Sequence, residues 1–432
     1  MRRLFLFALI QLAFLAACGG GSSDLTSGTG STGTTGTGTG TGTGGTNTIA
    51  PVGANVVAVT VDGGPAGVQA GSVFNTPYVN VTICAPGSTT NCATIDHVEV
   101  DTGSSGVRIL ASALNALNSS ILATLPLETS PVGGTLVECE HFADGITWGP
   151  MHTADLTVAS EKAASLPIQI IGDPNYPDAN IPSDCTSYGS PEDTVALFGA
   201  NGIIGVGTFV QDCGSFCTGS TQDNIYFNCP TPQTCNDVDA PLNLQAVNPV
   251  SFFTTDNNGV ILELQSPGDS GATTVSGALV FGINTESNNE LGSAKVFTTD
   301  DSSDISIIFN GVTYSQSFVD SGSNFTFFND SAIAACGTAP NQYFCPTSQV
   351  ALSATIEGLN GVEETVNFNV TNIANLSAQY NAFDNVAAPA TVGGTQTDTF
   401  DFGLPFFFGR NVFSAIEGAN TGSGGVGPYI AF

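Results

Sequence analysis

His97-Val98-Glu99-Val100-Asp101-Thr102-Gly103-Ser104-Ser105 is a strand-like run that ends on an aspartate and breaks into a glycine turn. Val98 and Val100 alternate with polar residues, which puts one face of a strand into a core. Gly103 lets the chain turn tightly because no Cβ is in the way, so the strand delivers Asp101 to a loop. The pattern returns 219 residues later as Gln316-Ser317-Phe318-Val319-Asp320-Ser321-Gly322-Ser323-Asn324. One copy alone reads as an Asx or hairpin turn. Two copies, each after an apolar strand, predict two loops that face one another and hold two carboxyl groups close together. Like charges at that distance cannot both ionise, so the pair shares a proton. The ionised member can then take a proton from a water, and the protonated member can hydrogen-bond a carbonyl and support a tetrahedral intermediate.

Around these loops the composition is that of a β protein. Short runs rich in Val, Ile, Thr and Phe are interrupted by Gly, Pro, Asn and Asp from residue 49 to residue 432; examples are Val56–Val61, Ala278–Phe281 and Ile305–Phe309. This spacing predicts an all-β barrel or sandwich class. Helical signals are few, with Ser112–Leu122 the best and Ser331–Ala335 a weaker one. Hydrophobic residues make up 41% of the chain and charged residues 10%, enough apolar content for packed cores. Six Lys and Arg stand against 37 Asp and Glu, a net charge of -31. Such a surface repels nucleic acid and anionic membrane. With few bases to pair, falling pH relieves more repulsion than it breaks ion pairs, so acid tolerance is expected.

The first 48 residues carry a different message. Arg2 and Arg3 precede a short apolar run, Leu4–Phe14, which is too short to span a bilayer, and Leu15-Ala16-Ala17-Cys18 reads as a lipoprotein cleavage box. Residues 1–18 are thus expected to be a signal peptide that ends on an acylated Cys18. Gly19 at the next position fits outer-membrane sorting. Residues 19–48 form a Gly/Ser/Thr linker that holds the domain off the membrane. A cell-envelope location follows, with membrane contact only through the lipid. Setting Cys18 aside, ten of the 11 cysteines remain, an even number suited to an oxidising compartment. Cys84–Cys92 and Cys336–Cys345 are expected as loop staples, with Cys139–Cys185 as a third bridge. Cys213, Cys217, Cys229 and Cys235 allow three connectivities, and zinc binding by these four is the less favoured alternative. His97, His141 and His152 show no metal-binding spacing and read as surface positions on strands or loops. No metal or cofactor is expected.

Together the two Asp-Thr/Ser-Gly-Ser loops resemble those of the pepsin-like aspartic proteases. In that family each lobe adds a later segment, two apolar residues and a Gly, that threads past the loop. Asn201–Gly207 is similar to the first such segment. Phe402–Gly409 is similar to the second, with Gly403 and Gly409 as alternatives for its glycine. Asn248–Phe253 resembles the inter-lobe stretch, Gly277–Ile283 the strand and turn that open the second lobe, and Phe413–Glu417 with Tyr429–Phe432 the C-terminal strands. The sequence also resembles an uncharacterised family of bacterial lipoproteins.

The resemblance implies a bilobal pepsin-like double β-barrel with a central cleft, residues 49–245 forming one lobe and 246–432 the other. It implies Asp101 and Asp320 as the catalytic pair, with Gly103 and Gly322 shaping the loops. Ser104 and Ser323 would orient the carboxylates, and Thr102 and Ser321 would link the loops. The substrate would be an extended peptide in the cleft of a monomer, with apolar pockets supplied by the Phe-rich second lobe. The family's flap tyrosine has no counterpart in the Cys139–Val158 hairpin, which leaves Phe142 or Trp148 as flap candidates. Arg108 and Asn324 also depart from the family pattern, and no propeptide is evident. The alternative is an inactive pepsin-fold binding or scaffold lipoprotein of the cell envelope.

Overall fold

The computed structural model describes residues 48–219, 223–338, 341–392 and 395–432. The expected signal peptide, Cys18 and nearly all of the expected linker lie outside the described residues. Among the described residues no helix is long and apolar enough to cross a membrane.

The first lobe is built on ten strands: β2 (Pro77–Cys84), β3 (Cys92–Asp101), β4 (Ser105–Leu110), β5 (Thr135–His141), β6 (Ile146–Val158), β7 (Glu161–Ile171), β8 (Gly202–Val206), β9 (Tyr226–Thr231) and β10 (Thr234–Asp237), following β1 (Val56–Val61). Val, Ile and Thr dominate them, residues whose branched Cβ packs well on a pleated surface. β8 is Gly202-Ile203-Ile204-Gly205-Val206 and is buried throughout, as expected of a strand covered on both faces.

β1 leaves this lobe and pairs with β12 (Val275–Phe281), which pairs with β11 (Gly259–Leu264) and, through it, with Asn411–Ala415. Tyr429–Ala431 and β13 (Val296–Thr298) complete the edge. One 15-stranded sheet therefore runs from the first lobe into strands of the C-terminal half. The second lobe adds a seven-stranded sheet that contains β14 (Ile305–Phe309), β15 (Val312–Val319), β16 (Thr326–Phe328), Val350–Glu357, Glu363–Val370, Ala387–Pro389 and Asp401–Phe402. The protein is thus mostly β, with closed and nearly closed barrels in two lobes, the class expected from the sequence.

A continuous apolar cluster joins the lobes, from Val81, Ile95 and Ile168 through Phe253 and Leu262 to Ile307, Phe328 and Phe402. In the second lobe, phenylalanines interlock ring against ring: Phe328 stacks on Phe400, with Phe309, Phe368 and Phe402 around them. These rings fill the core of the second lobe, because the strands that carry them point them inward.

The helix predicted over Ser112–Leu122 is shorter, Ala111–Leu117, followed by a 3-10 turn at Leu122–Thr124. No helix forms at Ser331–Ala335. Ala335–Thr338 is a strand paired with Asn341–Phe344, and the Cys336–Cys345 bridge fastens that hairpin. Cys84–Cys92 and Cys139–Cys185 are also bonded. The four ambiguous cysteines pair as Cys213–Cys217 and Cys229–Cys235, so their sulfurs are not free to bind zinc. Two of the three histidines are not at the surface. His141 is 2% exposed and stacked on Tyr188, and His152 is 3% exposed beside the Leu125 carbonyl. Both sit at inward-facing positions of β5 and β6, where alternation decides exposure.

Candidate functional site

β3 runs parallel to β8 with Val100 opposite Ile204 and Asp101 opposite Gly205, while β4 runs antiparallel to β8 on its other side. The chain thus passes Asp101, turns through Thr102–Ser104, and returns with β8 threaded between the two arms. Gly205 is required there, since a Cβ would lie 2.7 Å from the Ser104 hydroxyl and 2.7 Å from the Ser105 nitrogen.

The second lobe repeats the arrangement. β15 runs parallel to Asp401–Phe402, with Phe318 opposite Asp401 and Val319 opposite Phe402, and β16 pairs antiparallel on the other side. The next step of that register sets Gly403 against Asp320, so the threading glycine is Gly403 and not Gly409. A Cβ on Gly403 would meet the carbonyl oxygens of Phe325 and Ser323 at 2.1 and 2.4 Å.

The two loops meet at the lobe junction. The Thr102 amide donates to the Ser321 hydroxyl at 3.0 Å, and the Ser321 amide donates to the Thr102 hydroxyl at 3.0 Å. The Ser321 hydroxyl in turn donates to the Val100 carbonyl at 2.7 Å. Within each loop a glycine amide donates to its own aspartate, Gly103 to Asp101 at 2.7 Å and Gly322 to Asp320 at 2.8 Å. The glycines also permit the close approach. A Cβ on Gly103 would stand 2.6 Å from the Asp320 carboxyl carbon, and one on Gly322 would stand 2.8 Å from an Asp101 carboxyl oxygen.

The carboxyl groups of Asp101 and Asp320 are in hydrogen-bond contact, and the residues are 6% and 1% exposed. Burial pushes the Asp320 carboxyl well above the usual range, and the charges of Asp101 and Asp401 push it the same way. Such a pair keeps a proton that isolated aspartates would lose. A cavity at this junction is lined by Thr102 and Gly103 from one lobe and by Phe318 and Val319 from the other.

The supporting serines differ. The Ser323 hydroxyl donates to Asp320 Oδ2 at 3.0 Å, whereas the Ser104 hydroxyl is buried without a hydrogen-bond partner and does not orient Asp101. The β5–β6 hairpin closes through the Phe142 amide and Gly145 carbonyl, but its flap candidates lie inside the first lobe. Phe142 packs near Phe198, Tyr78 and Leu110. Trp148 is 2% exposed and meets Phe227 edge-on at 5.4 Å.

Sequence reading missed a buried charge cluster one turn from Asp101. The Arg108 guanidinium, fully buried, forks onto Glu138 at 2.8 and 3.1 Å and also reaches Glu140 at 3.0 Å and Asp212 at 3.3 Å. Arg108 donates as well to the Ser105 carbonyl at 3.1 Å, which ties the Asp101 loop to the cluster. Tyr226 donates to Asp212 at 2.7 Å. The three carboxylates are spaced like metal ligands, but the guanidinium takes the place an ion would occupy. The available signal was scarcity: the chain has six bases, two of them Arg2 and Arg3, so an arginine amid β strands has few alternatives to a structural role.

Burial also raises other acids: Glu140 to about 7, where Arg108 opposes the shift and Glu138 adds to it; Glu263 to about 7; and Asp384 to about 6, with the Asp269 charge adding. In each case the folded state holds a proton that the unfolded chain has released between pH about 4 and about 7. Stability is therefore present below that window and is lost as pH rises through it, by up to about 1.4 kcal/mol per pH unit for each group. His141, lowered by burial to about 4, pulls the opposite way, but such groups are fewer. The urea midpoint is expected to fall from mildly acidic to mildly alkaline pH; a midpoint that rises would contradict this assignment.

A solved structure described as "Crystal structure of aspartic proteinase from Irpex lacteus" is similar to this chain at 16% identity, covering 87% of this chain and 96% of that one with a TM-score of 0.44. No curated protein matches the sequence. Residues 51–432 match the model of the family described as a protein of unknown function, DUF3443, and the chain belongs to that family.

Proposed function

We propose that this protein is a pepsin-like aspartic endopeptidase that hydrolyses peptide bonds with water activated by Asp101 and Asp320. The observation that carries the reading is the contact between two buried carboxyl groups 219 residues apart, held by the reciprocal Thr102–Ser321 hydrogen bonds. Folding alone gives no reason to bury two acids against each other, since each costs several kcal/mol to desolvate as an ion. A shared proton makes the arrangement tolerable and also useful. The ionised carboxylate removes a proton from a water that attacks the scissile carbonyl carbon. The protonated carboxyl hydrogen-bonds the carbonyl oxygen as it becomes a hydroxyl of the tetrahedral intermediate. When that intermediate collapses, the carboxyl that took the proton from water gives it to the departing amide nitrogen. The other carboxylate takes the proton of one hydroxyl of the intermediate as the new carbonyl forms, and the pair again holds one proton.

An extended peptide is the substrate class that fits a junction walled by strand ends, because its backbone can add hydrogen bonds to them. The same reading puts the domain on the cell envelope, tethered through lipid on Cys18 by residues 19–48. A second reading, a binding module without turnover, draws on the inward packing of Phe142 and Trp148 and on the unpartnered Ser104 hydroxyl.

The test is cleavage of a peptide library by residues 49–432 with disulfides formed, from acidic to neutral pH. Cleavage at internal peptide bonds, with its optimum in acid, is expected. Binding of peptides without any cleavage would replace this reading with the second one.

A further inference from the structure

The two lobes are not equivalent one step below their paired aspartates. In the first, Glu99 faces Ile203; in the second, Phe318 faces Asp401. Ile203 and Asp401 hold matching positions, each two residues before its threading glycine, Gly205 or Gly403. Alternate strand residues share a face, so the Asp401 carboxyl lies on the same face as Asp320. It is 4% exposed, and its Oδ1 atom has no hydrogen-bond partner. Its neighbours in the sheet are Phe318 on one side and Phe327 on the other. The Ser323 hydroxyl contacts Asp401 and is also the group that donates to Asp320 Oδ2.

A serine hydroxyl has one proton to give. With that proton committed to Asp320, Ser323 can meet Asp401 only as an acceptor, so Asp401 must bring a proton of its own. An ionised Asp401 would instead compete for the Ser323 proton. It would also add a third negative charge, since the titratable groups that face it are Asp101 and Asp320. Burial, the largest influence, and the Asp101 charge favour the neutral form, whereas a hydrogen bond donated by the Ser323 hydroxyl opposes it. The first lobe supplies the internal comparison: Ile203 can donate nothing, and there the matching hydroxyl, Ser104, does not hold its aspartate.

We infer that Asp401 is a positioning residue, a neutral carboxylic acid that donates to the Ser323 hydroxyl and thereby fixes the Ser323 proton on Asp320. Its effect on turnover rests on the proposed protease reading, but the proton arrangement does not.

Two variants separate these parts. Asp401→Leu removes the donor, and Asp401→Asn keeps an N–H donor with nothing to titrate. In peptide cleavage, Asp401→Leu should lower kcat roughly 10- to 100-fold with KM nearly unchanged, as displacement of a reacting group does. Asp401→Asn should recover most of that loss and keep its activity further into the neutral range. Infrared spectra provide the readout that needs no turnover. A protonated-carboxyl band present in the parent at neutral pH should vanish in both variants. The inference is overturned if Asp401→Leu matches the parent, if Asp401→Asn is as impaired as Asp401→Leu, or if no such band belongs to Asp401. A parent that cleaves no peptide but shows the band would sink the protease reading and leave this one standing.

Discussion

Replacing either Asp101 or Asp320 with asparagine is expected to lower kcat/KM by about 10³-fold or more, near the upper range for losing a general acid or base. Asparagine at position 320 keeps a polar group in hydrogen-bond reach of Ser323 and Gly322, so the loop geometry survives. The pair, however, can no longer hold one ionised and one protonated member, because a carboxamide neither gains nor loses a proton in the accessible range. Stability should move the other way. The Asp320 carboxyl is buried beside Asp101 and Asp401 and has its pKa raised by that burial and those charges. Its ionisation therefore costs folding free energy as pH rises, and a neutral replacement removes that cost. Asp320→Asn should thus raise the urea midpoint at neutral pH while it abolishes cleavage, the exchange of stability for function expected at a strained site. Unchanged cleavage in either variant would rule out the pair as the source of activity.

The second large effect concerns Arg108. Replacement by methionine keeps most of the side-chain volume but leaves the Glu138 and Asp212 side chains buried, and Glu140 partly buried, without their cation. Breaking one side of a buried ion pair typically costs about 3–5 kcal/mol, because an uncompensated charge remains. The loss should depend on pH. Burial and mutual repulsion already hold the Asp212 carboxyl well above its ordinary value and Glu140 at about 7 against the pull of Arg108. Without the guanidinium these groups would hold protons to still higher pH. Protonation makes them neutral in acid, so the deficit should be largest at neutral pH and shrink as pH falls. Urea denaturation of parent and Arg108→Met at both pH values measures it. A loss that is small at neutral pH, or equal in acid, would mean that the cluster is solvated and not a buried counterion network.

What could be read in advance was local. Asp-Thr-Gly-Ser and Asp-Ser-Gly-Ser announce their turns within four residues, and Asn201–Gly207 is legible through its resemblance to the segment that threads past the first loop. Short cysteine spacings fixed the loop staples, because few geometries close an eight-residue loop. What escaped depends on residues that converge from far apart. Arg108 meets Glu138, Glu140 and Asp212 only after three segments fold together. Asp401 looks like an ordinary polar residue before a Phe-Gly turn until the register sets it beside Asp320. Gly403 and Gly409 were equally plausible from sequence, and only the parallel pairing with β15 separates them. His141 and His152 were misread because strand alternation, not residue polarity, decides which side chains turn inward.

The central claim, that the carboxyl groups of Asp101 and Asp320 share one proton across the lobe junction, can be measured directly by following the aspartate side-chain carboxyl carbons by NMR as pH is varied. In the parent, the pair should release its two protons in well-separated steps, and Asp101→Asn should bring the Asp320 step to lower pH by removing the neighbouring charge. If the two groups instead titrate together as ordinary surface carboxylates, and Asp320 does not respond to the loss of Asp101, no proton is shared and the account is wrong.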